Sequence, residues 1–151
     1  MTTLTKIIVV LAVIGLGIVV ATSTKHTAVA PTDSIKGCYV ATLEKDRYTL
    51  AVTSENDGVI EGSLAFDNFE KDSSHGTFSG TYTNGILLGD YSFSSEGMDS
   101  VRQVIFKKVD GGFVEGFGDI KVEGDREVLV NPSGIIYNNT PVFVQTDDCS
   151  I

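Results

Sequence analysis

Positive charge is scarce in this sequence. Eleven lysines and arginines face twenty aspartates and glutamates, for a net charge of −9 and a pI near 4.5. That balance repels phosphate backbones and anionic headgroups, which argues against nucleic acid as a partner. Histidine and cysteine are scarcer still, with two of each, far apart in the chain. They match no zinc-ligand spacing, so no metal site is expected. No glycine-rich phosphate loop, paired-histidine motif or nucleophile elbow occurs, and no cofactor is expected. Helical periodicity is absent beyond residue 36, so an N-terminal apolar helix would find nothing helical to pack on.

Long apolar runs are limited to one. Residues 7–21 read IIVVLAVIGLGIVVA, fifteen residues without a charge, and Lys6 precedes them. A cationic lead before an apolar core of this length is the pattern of a secretory signal. A spanning helix needs about 20 apolar residues, and the stretch nears that only with Leu4, Thr5, Thr22 and Ser23 added. Two readings stand: a signal peptide cleaved near Ser23, or a single transmembrane anchor over residues 1–21. Ala28-Val29-Ala30 is a better-formed cleavage motif, but it lies far from the apolar core and Pro31 follows it. Either way the domain is expected outside the cytoplasm, secreted or membrane-anchored by residues 7–21. Residues 22–36 are small and polar and read as a flexible tether. The remaining residues, 37–151, are enough for one domain. They carry 19 of the 20 carboxylates, all those after Asp33.

That domain reads as strands in series, with alternating polarity closed by turn residues about every ten positions. Tyr48, Leu50 and Val52 share a face; so do Ile60, Gly62, Leu64 and Phe66. Gly76, Phe78, Gly80 and Tyr82 follow, then Leu87, Gly89, Tyr91 and Phe93. Asp57-Gly58 and Asn84-Gly85 are hairpin signals. Residues 101–109, 113–122, 127–130 and 142–145 complete eight or nine strands with no helix between them. The expected fold is all-β: a small antiparallel meander closed into a barrel or flattened. Closure removes exposed sheet edges, and glycine on inward faces permits tight coiling. Cys38 opens the first strand and Cys149 follows the last. In a closed barrel with an even strand count these ends are neighbours, and a Cys38–Cys149 disulfide would tie the seam.

The candidate chemistry is sparse. Arg102 shares a face with Val104 and Phe106, and Glu115 shares one with Phe113 and Phe117. If both aromatic faces point inward, a cation and a carboxylate meet inside the barrel and orient a polar ligand group. If the strands face the other way, Val101, Gln103 and Ile105 line the interior and Arg102 is outside. On the first reading Tyr82, Tyr91, Phe93 and Phe106 are pocket walls, with Glu96 at the rim. Phe69, among charges in the loop 68–74, either caps the barrel end or faces a protein partner.

Gly37-Cys38-Tyr39, Glu70-Lys71-Asp72, Tyr91-Ser92-Phe93-Ser94-Ser95-Glu96-Gly97, Ser100-Val101-Arg102 and Glu115-Gly116-Phe117-Gly118-Asp119 form a pattern across residues 37–119. In it the chain resembles small exported bacterial proteins, often lipoproteins. The resemblance implies an exported β-domain and supplies no activity. In outline the domain also looks like a calycin barrel, the lipocalin-like class that often holds small apolar ligands. Tryptophan is absent, and with it the early Gly-x-Trp fingerprint of lipocalins. The likeness is one of architecture, which does not determine function.

The leading expectation is a non-enzymatic, monomeric β-barrel binding a small apolar or amphipathic ligand, or a cell-surface partner. Its membrane contact, if the leader is uncleaved, runs through the N-terminal segment. The alternative is a protein-interaction or inhibitor module with a solid interior. An enzyme comes third, because no nucleophile–base pair can be named; a pocket carboxylate with a strongly displaced pKa would favour it.

Overall fold

The computed structural model describes residues 34–95, 97–138 and 140–150. The apolar stretch 7–21 with its expected helix, the cleavage positions and Glu96 lie outside the described residues. Among the described residues no helix is long and apolar enough to cross a membrane.

The described residues form ten strands: β1 Gly37–Leu43, β2 Asp46–Asn56, β3 Val59–Asp67, β4 Ser74–Thr83, β5 Ile86–Ser95, β6 Met98–Val109, β7 Gly112–Gly116, β8 Ile120–Glu123, β9 Arg126–Leu129 and β10 Val142–Thr146. The chain runs up and down from β1 to β7, leaves the ring as the hairpin β8–β9, and returns as β10 between β7 and β1. The β5–β6 pairing completes an eight-stranded antiparallel barrel. The all-β closed meander expected from the sequence is therefore what forms, with two strands outside the ring.

The run 113–122, read as one strand, is split. β7 stops at Gly116, where an added Cβ would lie 2.3 Å from Ile135 Cγ2 and 2.6 Å from Tyr137. The returning segment, turned by the 3-10 turn Pro132–Gly134, crosses there. β6 is longer than β7, and its Val101 and Arg102 pair instead, in parallel, with Arg126 and Glu127 of β9.

Local chemistry explains the rest of the meander. Asp57 and Gly58 have φ of 49° and 78°, and Asn84 and Gly85 have 54° and 79°. Positive φ at both central residues is the turn whose twist matches that of paired strands. Gly80 and Gly89 face one another across β4–β5. A Cβ on Gly80 would sit 2.3 Å from the Leu88 carbonyl oxygen, so only glycine allows this tight coiling.

The inward alternation packs Leu50, Leu64, Phe78, Tyr91, Phe106 and Phe113 into a core with almost no exposure. One barrel end, carrying the turns at 57–58, 84–85 and 110–111, is covered by residues 34–36. Ile35 is 1% exposed. Its N–H and the Ser34 hydroxyl donate to the Glu55 carboxylate at 3.0 and 2.9 Å, and its carbonyl accepts the Tyr39 hydroxyl at 2.9 Å. The last residues of the expected tether are thus part of the barrel. Cys38 and Cys149 are bonded, with Cα atoms 5.4 Å apart. Cys38 pairs with Thr146 across β1–β10, so the bond ties the seam. Disulfides persist in oxidising compartments, and the bond is compatible with an extracytoplasmic location.

Candidate functional site

The opposite end of the barrel carries the turn at 44–45, the loop 68–73, the β5–β6 connection and the 117–141 excursion. Aromatic rings run around its mouth. Tyr48 and Phe66 have centroids 5.4 Å apart, Phe66 and Tyr91 5.7 Å, and Tyr91 stacks on Phe93 at 4.6 Å. The Arg102 guanidinium lies 5.3 Å from the centre of the Phe93 ring. The register places Arg102 between Tyr91 of β5 and Glu127 of β9, while Glu115 of β7 sits opposite Phe106.

Arg102 and Glu115 both share the inward face with Phe106, but they do not close an ion pair among the described residues. Both therefore stand inside the barrel and the charge of Arg102 acts on the Glu115 carboxyl, but register sets Glu115 at Phe106, four residues along β6 from Arg102, and no closed ion pair forms. Burial pushes the Glu115 carboxyl up to about 7, and the positive charge of Arg102 pulls against that. The Arg102 Nε is sealed from solvent and makes no hydrogen bond. Burial also raises the Tyr91 phenol, whose hydroxyl donates to Ser74 Oγ at 3.0 Å. Tyr48 is raised in the same way and donates to Asp46 Oδ2 at 3.1 Å.

Two adjoining recesses open beside this mouth. One, about 360 Å³, is lined by Ser92, Phe93, Ser94, Asp99, Ser100, Val101 and Asp125. The other, about 300 Å³, is lined by Phe93, Ser100, Val101, Val122, Asp125, Arg126 and Glu127. Arg126 in turn holds Asp90 with bonds of 3.1 and 2.6 Å. These recesses lie at the rim, outside the filled core.

The expected site residues divide accordingly. Phe93 lines both recesses; Tyr91, stacked on it, and Arg102, 5.3 Å from its ring centre, line neither. Phe106 is core, 5.4 Å from Phe143. Tyr82 lies toward the covered end, 6.2 Å from Phe113. Phe69 is 44% exposed, its ring 4.0 Å from the Lys45 ammonium and its N–H donating to Asp46 at 2.8 Å. Glu96 lies outside the described residues. Asp125 and Glu127 were not foreseen at the site; they reach it through the parallel β6–β9 pairing, for which no local sequence signal exists. Comparison of the chain with protein-family models, with curated proteins and with solved structures finds no match.

Proposed function

We propose that the chain is an exported or membrane-tethered, non-enzymatic binding module whose barrel takes a small amphipathic ligand at its mouth. Arg102 carries this reading. Its Nε is enclosed without an acceptor, and a buried donor left unpaired costs about 1–3 kcal/mol until an acceptor completes it. Glu115 does not complete it. Arg102 lines neither recess, so a polar head group would reach it by displacing the Phe93 ring, while the apolar part of the ligand lies along Val101 and Val122. The packing of the core and the recesses beside Phe93 support the rim, rather than the barrel centre, for such a ligand.

The test is isothermal titration and native mass spectrometry of the oxidised chain with decanoate and with decanol. Stoichiometric binding of decanoate, lost on Arg102→Met, is the expected result. Binding of neither probe, or binding indifferent to that substitution, refutes the reading.

The displaced Glu115 favours a second reading, general acid–base catalysis, because a carboxyl near 7 suits proton transfer at neutral pH. That reading requires turnover of a bound compound that Glu115→Gln abolishes without abolishing binding.

A further inference from the structure

We infer that two copies of this chain pair along β8, edge to edge, with Val122 opposite Val122. Among the described residues the strand β8 ends the sheet order and has a single neighbour, β9. All of its residues are exposed, Ile120 at 51% and Val122 at 71%. An exposed, alternating apolar edge is a template for addition of another strand.

The hairpin decides which backbone groups are free. Glu123 and Arg126 close the two-residue turn Gly124–Asp125. In such a hairpin the closing pair turns its N–H and C=O groups toward each other, and the pattern then alternates. Lys121 therefore points its main chain at Val128, while Ile120 and Val122 point theirs outward. Their side chains lie on one face, and those of Lys121 and Glu123 on the other. Lys121 and Glu123 already lie close, at 2.6 Å, within one copy.

A second copy placed antiparallel with Val122 opposite Val122 exchanges both hydrogen bonds of that pair. Ile120 then faces Gly124, the first turn residue, twice. On the other face Lys121 stands opposite Glu123 of the second copy, and Glu123 opposite its Lys121. The neighbouring antiparallel register sets Lys121 against Lys121 and Glu123 against Asp119, so like charges meet throughout. Opposite charges across a strand pair stabilise and like charges destabilise; the register centred on Ile120 also sets Lys121 against Asp119, but it draws on residues 118 and 119 outside β8, so the register centred on Val122 is the one that takes both charged partners from within the strand. The strand is short and each copy carries −9. The dimer is accordingly weak and concentration-dependent, in contrast to the monomer the sequence leads one to expect.

The experiment is sedimentation velocity of the oxidised full chain over a range of concentrations. Variants Lys121→Glu, Glu123→Lys and the double exchange are compared with the wild type. Each single exchange turns two attractive cross-strand pairs into repulsive ones and weakens association by about tenfold or more. The double exchange restores it. Val122→Cys copies cross-link to each other on oxidation, and Lys121→Cys copies do not. Thermal melting of each variant near the wild-type temperature verifies folding. A wild type that stays monomeric throughout overturns the inference. So does association that survives the single exchanges, as pairing through residues 7–21 would, or a double exchange that fails to restore it.

Discussion

Replacing Glu115 with glutamine should remove a pH dependence from the stability of the barrel. The carboxyl is moved from 4.5 to about 7 by burial, against the attraction of Arg102. Some of the residue's surface is accessible, but the carboxyl belongs to the inward face, and its own surroundings set its titration. A displacement from 4.5 to about 7 corresponds to about 3 kcal/mol. The folded state holds this proton more tightly than the unfolded chain does. Below pH 4.5 both states are protonated and the group costs nothing. As pH rises from 4.5 toward about 7, the unfolded chain ionises first, and the fold loses stability relative to it. Above about 7 the folded carboxyl ionises too, and the loss levels at about 3 kcal/mol. Glutamine keeps the shape without the charge. In urea titrations, wild type and Glu115→Gln should differ by under about 1 kcal/mol near pH 5, with the variant about 3 kcal/mol more stable near pH 8. Asp46, Glu123 and Asp148, all held below the ordinary carboxylate value, are common to both proteins and cancel in the difference. A difference independent of pH would refute the argument that the carboxyl is desolvated inside the mouth.

Three further outcomes follow from the packing. Replacing Cys38 and Cys149 together by serine opens a cross-link spanning 111 residues and should lower the unfolding free energy by up to about 4–5 kcal/mol, read from urea midpoints. Gly80→Ala drives a methyl into the Leu88 carbonyl oxygen and should cost about 1–3 kcal/mol; an unchanged melting temperature would contradict the close strand approach. Ile35→Ala should cost about 2–5 kcal/mol by the same measurement, although its neighbours in sequence are polar, because its side chain is buried against the covered barrel end.

Much of the barrel wall is legible in the sequence, since period-two alternation and positive-φ turns are local properties. The face shared by Tyr48, Leu50 and Val52 is the face that packs, and Asp57-Gly58 and Asn84-Gly85 are the turns that form. Ile35 is not legible as core, because one isoleucine in a polar stretch has no periodicity to report which side is buried. The split of the run 113–122 is hidden for a different reason. Its alternation continues through Gly116, and only the crossing of Ile135 and Tyr137 ends the strand there.

The sequence alone determined a chain of alternating strands with its cysteines at the two ends of the β-domain, because backbone sterics and polarity act over a few residues. Tertiary structure decided which strand lies beside which. That choice put β10 next to β1, put β9 beside the free half of β6, and set Glu115 against Phe106 rather than against Arg102. Register between distant strands is chosen by the packing of the whole barrel. The enclosed Arg102, the rim recesses and the open edge of β8 all follow from register, and none could be read from any single strand.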